Sequence, residues 1–396
     1  MSDVADAFVE LRILLTETPD PRKRQGIRHE LADVLFMALV AIIAGVNSAE
    51  TMEIFAETHK DWFRQRCGLR ARVPSQDTFL RVLAALDPIE FGKVFQRWVD
   101  SIWGGEARSG HIAIDGKTLR GSFNHAAGTG PVHSVSAWLC NKGIVLGQVK
   151  VDSKSNEIVA IPALIKLLDI KGCTITIDAM GCQRAIAQQI VESGGHYILA
   201  LKENQPSLCK EVTEFFADAE QQTRPLDDPA PIVSVEEQTS KGHGRVEVRR
   251  CTVARDLSWI TSSQQWPGLT AVAKIERTRT TISPNKTTHE SAYFIVSNPN
   301  ATATDVESIV RDHWGIENTL HWTLDMTFQE DAARIRTKNA AQNFSIMRRA
   351  ALNLLKAAPE PLPKKKTSLS NRRFICSARY DYLETVLRLP PEASHV

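Results

Sequence analysis

The hydrophobic and polar positions divide the chain into a helical part and a following part in which strands and helices alternate. Up to about residue 105, apolar residues recur three and four positions apart, as on a helix that buries one face. Ser48 and Ser75 each precede such a segment and are predicted N-caps. The pair Asp87-Pro88 is predicted to end the helix that follows Ser75. Residues 1–105 are therefore predicted to form a helical domain.

A different pattern begins at Gly110, where short apolar runs bounded by turn residues predict strands. The predicted strands cover residues 111–115, 132–140, 144–151, 174–178 and 197–201. Helices are predicted from Ser155 to Leu168 and over residues 182–193. Successive strands followed by alternating strands and helices predict an α/β fold with a mixed sheet and flanking helices.

Residues 206–292 interrupt this alternation. An acidic, helix-like stretch and a Pro- and Asp-rich linker come first, and β-type segments such as 245–253 follow, so an insertion containing β-structure is predicted. Helical periodicity resumes at a predicted capping box from Thr304 to Glu307 and continues to about Met326. A second helix is predicted over residues 338–357.

These patterns predict five parts of the chain. They are a helical, possible DNA-binding domain at 1–105, an α/β core at 106–205, an insertion at 206–292, the second part of the core at 293–358 and a loosely ordered basic tail at 359–396. The composition, 43% hydrophobic and 24% charged, is that of a soluble globular protein.

The net charge of +2 does not indicate a nucleic-acid partner, and the distribution of charge along the chain is more informative. Twelve basic residues and only two acids lie between Asp331 and Arg379. A second basic cluster contains Arg64, Arg66, Arg70 and Arg72. Such clusters are typical of phosphate-binding surfaces and also of ordinary solvated surfaces.

The seven cysteines are scattered and include no Cys-x-x-Cys pair, which argues against a disulfide framework or a zinc site and favours a reducing compartment. The N-terminus lacks the pattern of a signal peptide. The apolar run from Leu31 to Val46 contains Asp33 and is shorter than the roughly 20 residues that span a bilayer. A cytoplasmic protein without a membrane partner is therefore predicted.

Three acidic residues are the candidate chemistry. Asp115 and Asp178 each end an apolar strand-like run, where the sheet would hold a carboxylate rigidly; ending a strand is also an ordinary place for aspartate. Glu317 lies on a largely apolar face of the predicted helix after Thr304, so a cation or basic partner is expected. A structural ion pair with Arg311 or Arg334 is the alternative.

Carboxylates are the ligands that Mg²⁺ prefers, and two Mg²⁺ ions can activate the attacking oxygen and stabilise the leaving oxygen in phosphoryl transfer. The sequence has no Walker-type phosphate loop and no Gly-x-Ser-x-Gly nucleophile turn that would favour other chemistry.

Several segments around these acids resemble insertion-sequence DDE transposases, in the group that includes the H-repeat-associated proteins of Rhs elements. The segments that carry the resemblance are Ala113-Ile-Asp-Gly-Lys-Thr-Leu-Arg120, Ile177-Asp-Ala-Met-Gly-Cys182, Ala200-Leu-Lys-Glu-Asn-Gln-Pro206, His243-Gly-Arg-Val-Glu247 and His313-Trp-Gly-Ile-Glu-Asn-Thr-Leu-His-Trp322. Asp20-Pro-Arg-Lys-Arg24 and Pro74-Ser-Gln-Asp-Thr78 are similar to the associated N-terminal domain of that group. The resemblance covers nearly the whole chain.

This resemblance implies a ribonuclease-H-like (retroviral-integrase-like) catalytic fold and metal-dependent strand cleavage and strand transfer at the ends of an insertion sequence. It implies that Asp115, Asp178 and Glu317 are the catalytic and metal-binding residues, with two Mg²⁺ ions for which Mn²⁺ can substitute. The implied partner is double-stranded DNA, both as transposon ends and as target. The implied location is the nucleoid. Bringing two ends together is compatible with a homodimer.

The chain departs from the wider superfamily around the last acid. That superfamily often places Tyr, Arg and Lys at positions here occupied by Val310, His313 and Leu324. Arg311, His313 and His321 are therefore candidate replacements for the usual phosphate contacts.

Further DNA-binding candidates each have a simpler alternative. Lys117 is either a phosphate contact or a surface lysine, and Lys202 and Asn204 either hold the DNA backbone or belong to a polar loop. His243 and Arg245 lie in a Gly-containing turn where a backbone can approach closely. Trp259 and Trp266 either stack on an unpaired base or, more commonly for tryptophan, pack in a core.

Two alternative functions remain open at this point. The first is a catalytically inactive or domesticated relative that only binds DNA. The second is a metal-dependent nuclease of the same fold that does not join strands.

Overall fold

The computed structural model describes residues 12–387 except 24, 26, 68, 70–71, 104–109, 124–127, 129, 152–156, 221–231, 243, 285 and 364. The chain divides into two compact units. The first unit contains Met1–Glu106, Gly116–Asn156 and Glu317–Val396, and the second contains Ala107–Asp115 and Glu157–Ile316. The domain boundaries predicted from the sequence stay predictions.

The helices follow the predicted periodicity closely. They are α1 Leu31–Ile43, α2 Ala49–Thr58, α3 Lys60–Arg66, α4 Gln76–Ala85, α5 Pro88–Trp103, α6 Glu157–Ile165, α7 Arg184–Glu192, α8 Pro206–Glu220, α9 Ala303–His313, α10 Trp322–Met326, α11 Ala340–Ala357, α12 Leu369–Ala378 and α13 Tyr380–Leu387. Ser48 and Ser75 accept hydrogen bonds from the backbone N–H groups of Thr51 and Thr78, so both predicted N-caps are confirmed. Ser155 lies outside the described residues.

The first unit is built around two buried helices. Every residue of α1 is buried, and α11 packs against α1, α4, α5 and β3 (Ile144–Val151). A helix that is apolar all round is stable only inside a protein core, which explains the long apolar run of α1. Among the described residues, no helix is long and apolar enough to cross a membrane.

The predicted loose tail is wrong for the residues that the structure describes. Helices α12 and α13 pack against each other, and Arg372 and Arg373 are buried. Arg372 donates to the carbonyl oxygens of Leu355 and Ala358, and Arg373 donates to that of Ile42. Arginines that satisfy the free carbonyls at helix ends stabilise the fold. These two guanidiniums therefore belong neither to a phosphate-binding surface nor to a solvated surface, the two alternatives that the basic pattern had left open.

Nine strands of the described part of the chain form a mixed sheet, as predicted. They are β1 His111–Leu119, β2 Val132–Leu139, β3 Ile144–Val151, β4 Thr174–Ile177, β5 His196–Leu201, β6 Ile232–Gly242, β7 Arg245–Ala254, β8 Ala271–Thr281 and β9 Lys286–Val296. Their order is β3-β2-β1-β4-β5-β9-β8-β7-β6. Pairing is parallel between β1 and β4 and between β4 and β5, and antiparallel between β5 and β9 and through to β6.

The second unit carries the β-structure predicted for residues 206–292. Strand β9 pairs with β5, so β6 to β9 continue the sheet rather than forming a separate one. Helix α9 packs on β7, where Val306 joins Cys251, Val253 and Phe294 in a buried apolar cluster.

The start and end of α9 differ from the prediction. The capping box is formed by Thr302 and Asp305, not by Thr304 and Glu307. Glu307 is instead buried and lies 3.5 Å from Arg249 of β7, so its carboxylate is directed at the sheet. Helix α9 ends at His313, and a π-helical turn, Ile316–His321, lies between it and α10. These three elements stand where the sequence predicted a single helix.

Candidate active site

The two aspartates lie side by side in the second unit. Strands β1 and β4 run parallel with Ile114 opposite Ile177. Asp115 directly follows Ile114, and Asp178 directly follows Ile177. Adjacent strands are about 4.8 Å apart, and side chains alternate between faces. The register therefore places Asp115 and Asp178 at neighbouring positions on one face of the sheet. Strand β1 continues to Leu119, so the prediction that Asp115 ends its strand is wrong, although the pairing with β4 ends there.

Asp178 also begins a tight turn that is fitted to the strand before it. Its carboxylate accepts a hydrogen bond from the N–H of Gly181, 3.3 Å away, as the cap of the 3-10 turn Ala179–Gly181. A Cβ atom on Gly181 would lie 2.1 Å from the Cγ2 atom of Ile177, so only glycine fits at this position. The small residues after Asp178 therefore let the turn fold back onto β4.

The environment of Asp178 raises its pKa above the ordinary value. Partial burial makes the largest contribution, and the nearby Glu157 carboxylate adds to it; these effects outweigh the hydrogen bond from Gly181 and the charge of Lys202. A carboxylate whose charge is disfavoured in this way is stabilised by a bound cation.

A hydroxyl between two imidazoles lies on the same face of the sheet. Thr176 Oγ1 is 2.7 Å from His111 Nε2 and 2.8 Å from His313 Nδ1. Burial lowers the pKa of His111 to about 3, helped by the neighbouring His313, and burial lowers the pKa of His313 to about 4. Both imidazoles are neutral near pH 7, so His313 can replace a charged phosphate contact only as a hydrogen-bonding group.

We expect the free energy of unfolding to fall as the pH is lowered from about 6.5 toward about 4, because the unfolded chain then binds protons that folded His111 and His313 exclude. The stabilisation is fully present above pH 6.5, the ordinary histidine pKa, and declines below it. Urea unfolding at a series of pH values measures this slope. His313→Asn should make the decline shallower, and an equally steep decline in that variant would contradict the assignment.

Glu317 belongs to the first unit and stands in the π-helical turn Ile316–His321. Its side chain is exposed, so the predicted position on a buried face is wrong. The π-helical turn explains the error, because it shifts the side chains away from the three-and-four spacing on which the prediction rested. Such turns occur frequently at functional sites.

His321 ends the same turn. Burial lowers its pKa to about 3, and the positive charges of Lys117 and Arg349 act in the same direction. Like His313, it is neutral near pH 7 and cannot supply the positive charge of the missing superfamily lysine or arginine.

Lys117 is buried in the first unit, so its interpretation as a surface lysine is wrong. Only 6% of its side chain is exposed, and its ammonium group lies 2.6 Å and 2.8 Å from the two carboxylate oxygens of Asp325 and 3.4 Å from Asp331. An ammonium group has three donors, and these contacts occupy them. A role in DNA binding stays a prediction for Lys117, and it would require one of these contacts to break.

The other DNA-binding candidates differ in accessibility. Lys202, Arg245 and Arg311 are exposed, and His243 lies outside the described residues. Asn204 is exposed as a residue, but its amide group donates to the backbone, as described below. Their contacts with DNA stay predictions.

Trp259 and Trp266 of the second unit pack within the protein. Trp266 is buried, and Trp259 stacks on Phe215 with ring centroids 3.9 Å apart. Base stacking by Trp266 is therefore excluded by its burial, and the packing alternative is confirmed for it.

His111, Thr176 and Gln205 were not among the functional residues predicted from the sequence. Thr176 had a usable signal, because it is a polar residue between Ile175 and Ile177 and alternates onto the face that carries Asp178. His111 had the same signal at the start of β1. Gln205 had no such signal, because its hydrogen-bond partner, the carbonyl oxygen of Cys182, is distant from it in the sequence.

The residues of this face fit a hard cation. Among the residues that the structure describes, no three His, Cys, Asp or Glu side chains are arranged to hold a metal ion. Mg²⁺ is nevertheless usually held by one or two carboxylates, with water and substrate phosphate completing its coordination. Asp115 and Asp178 provide that number of carboxylates within the second unit.

The fold and the site define a class of protein. It is a mixed α/β protein in which two aspartates lie at neighbouring positions on adjacent parallel strands. Residues 106–354 match the family model described as "Transposase DDE domain", and residues 13–99 match that described as "DDE_Tnp_1-associated". The chain belongs to the transposase DDE-domain family, which confirms the resemblance seen in the sequence.

Relatives in Escherichia coli cover most of the chain. The "H repeat-associated putative transposase YhhI" of strain K12 is 37% identical over 85% of this chain and 88% of its own length. The "Putative transposase YncI" of O157:H7 is 35% identical over 93% of this chain and 92% of its own length. Of the solved structures, "Cryo-EM structure of piggyBac transposase synaptic complex with hairpin DNA (SNHP)" aligns with 100% of this chain and 83% of its own, at 11% identity and a TM-score of 0.40, which is too low to support an inference.

Proposed function

We propose that the protein is a DNA transposase that cleaves and joins DNA strands at the ends of an insertion sequence in the presence of Mg²⁺. The observation that carries this proposal is the placement of Asp115 and Asp178 directly after the paired residues Ile114 and Ile177 of adjacent parallel strands, in a chain of the transposase DDE-domain family. We further infer that the mixed sheet is the ribonuclease-H-like core implied by that family.

In this proposal Asp115 and Asp178 hold the metal ions and Glu317 supplies the third carboxylate. These carboxylates would hold two Mg²⁺ ions, and the bound ions would activate the attacking oxygen and stabilise the leaving oxygen of the transferred strand. Support for Glu317 comes from its position in the family motif and from its exposed place in a π-helical turn. The neutral imidazole of His313, fixed by Thr176, is available to hydrogen-bond a phosphate oxygen.

The test is product analysis with the purified full-length protein. The substrate is DNA from both borders of the gene carrying any short inverted repeats, supplied with supercoiled target plasmid and Mg²⁺. We expect strands cut at the repeat ends and covalently joined to the plasmid, and no reaction with scrambled ends or EDTA.

Two other outcomes would overturn the proposal. Cut or nicked strands that are never joined would indicate a nuclease. Specific binding of the ends without cleavage in either Mg²⁺ or Mn²⁺ would indicate an inactive DNA-binding relative.

A further inference from the structure

The loop after β5 contacts the turn that carries Asp178. Asn204 Nδ2 donates to the carbonyl oxygens of Ala179 and Cys182, and Gln205 Nε2 donates to that of Cys182 at 3.0 Å. These bonds join the two ends of the turn to one loop within the second unit.

The direction of these bonds limits what Asn204 can bind. A side-chain amide has two N–H donors, and Asn204 directs both at backbone carbonyls. Phosphate oxygens accept hydrogen bonds and need a donor. The remaining carbonyl oxygen of Asn204 is an acceptor, so it offers nothing to a DNA backbone.

The turn links the loop after β5 to the carboxylate of Asp178. The N–H of Gly181 binds both the backbone and the side-chain oxygen of Asp178, at 3.0 Å and 3.3 Å. The turn is pressed so closely onto Ile177 that a Cβ atom at Gly181 has no room. A shift of the turn therefore moves the donor that orients Asp178.

We propose that Asn204 and Gln205 are positioning residues for Asp178: they hold the turn from Ala179 to Cys182 so that this carboxylate stays beside Asp115. The inference rests on the proposed function, because it assigns these amides to the same metal-dependent reaction. It replaces the expectation that Asn204 contacts DNA.

The experiment compares Asn204→Ala and Gln205→Ala with wild-type protein. Groups that orient a metal ligand typically contribute 10–100-fold to metal affinity or activity, so we expect Asn204→Ala to weaken Mn²⁺ binding and to slow end cleavage by roughly 10–100-fold. Gln205→Ala, which removes one bond, should have a smaller effect in the same direction. Electron paramagnetic resonance of free Mn²⁺ measures the binding without any reaction.

Three further measurements separate positioning from a general structural role. DNA affinity without metal should equal that of wild type, measured by fluorescence anisotropy. Raising the Mn²⁺ concentration should partly restore cleavage by Asn204→Ala. Gln188→Ala in α7 is the matched control, because Gln188 bonds only to Glu192 on the surface of the same unit, and it should change nothing.

The inference is overturned if Asn204→Ala lowers metal-free DNA affinity while Mn²⁺ binding is unchanged, since Asn204 would then be a DNA contact. It is also overturned if both variants bind Mn²⁺ and cleave like wild type. If Asn204→Ala does not fold, Gln205→Ala decides the outcome by the same criteria. Failure of wild-type protein to bind Mn²⁺ and to cleave contradicts the proposed function instead.

Discussion

Replacing Asp115 with Asn is expected to lower Mg²⁺-dependent cleavage by about 1,000-fold or more, and Asp178→Asn should do the same. Asparagine keeps the size and shape of the side chain but loses its negative charge, and Mg²⁺ depends on charged oxygen ligands. A bound metal contributes several kcal/mol to transition-state stabilisation, and each 1.36 kcal/mol corresponds to a tenfold change in rate. Single-turnover cleavage of end DNA measures the loss.

The same variants should bind DNA as tightly as wild-type protein in the absence of metal. In Asp178→Asn the new amide oxygen can still accept the hydrogen bond from Gly181 that caps the turn, so the local fold is preserved. Asp169→Asn is the matched control, because Asp169 precedes β4 and accepts a bond from the N–H of Lys171 at the surface. Cleavage at the wild-type rate by Asp115→Asn would remove this residue from the active site.

Local patterns in the sequence were sufficient to predict most of the elements. The strands around Asp115 and Asp178 are short apolar runs, and the caps at Ser48 and Ser75 depend on residues three positions away. Interactions of this range are encoded by neighbouring residues. The adjacency of Asp115 and Asp178, however, follows from the register of β1 and β4, which pairs residues that are distant in the chain.

The predictions from the sequence were wrong for residues whose role depends on a partner that is distant in the chain. Glu307 has the sequence position of a capping residue, yet Arg249 of β7 draws its carboxylate toward the sheet. Lys117 and Arg373 have the sequence appearance of surface charges, yet each finds its acceptors far away in the chain. Composition and periodicity contain no information about such partners. Counting basic residues in the sequence therefore overestimates the positively charged surface that is available for DNA.

Charge burial is most complete at Glu330 in the first unit. Glu330 and Arg349 have no exposed side-chain surface, and they lie 3.1 Å apart. Arg348, 2% exposed, lies 3.9 Å from the same carboxylate oxygen. Burial disfavours the charged carboxylate, but the positive charges of Arg349, Arg348 and Lys117 and a hydrogen bond with Ser345 outweigh it and hold the pKa of Glu330 below its ordinary value. Two buried cations therefore share one buried anion.

Glu330→Gln is expected to destabilise the protein by about 3–5 kcal/mol at pH 7, because removing one member of a buried ion pair leaves uncompensated charge in the core. Denaturant unfolding measures the change. Glu57→Gln is the matched control: Glu57 pairs with Lys60 at 2.8 Å, but both side chains are largely exposed, so the effect should stay below about 1 kcal/mol.

The pH dependence provides a second readout of the same ion pair. Because the folded pKa of Glu330 lies below its ordinary value of 4.5, its contribution is fully present above pH 4.5 and is lost as the pH falls through the lower folded value. The difference in unfolding free energy between wild type and Glu330→Gln should therefore be constant from pH 7 to about pH 5 and shrink in stronger acid. A difference that stays constant below pH 4 as well would mean that folding does not change the pKa of Glu330, and that the two arginines do not stabilise its charged form.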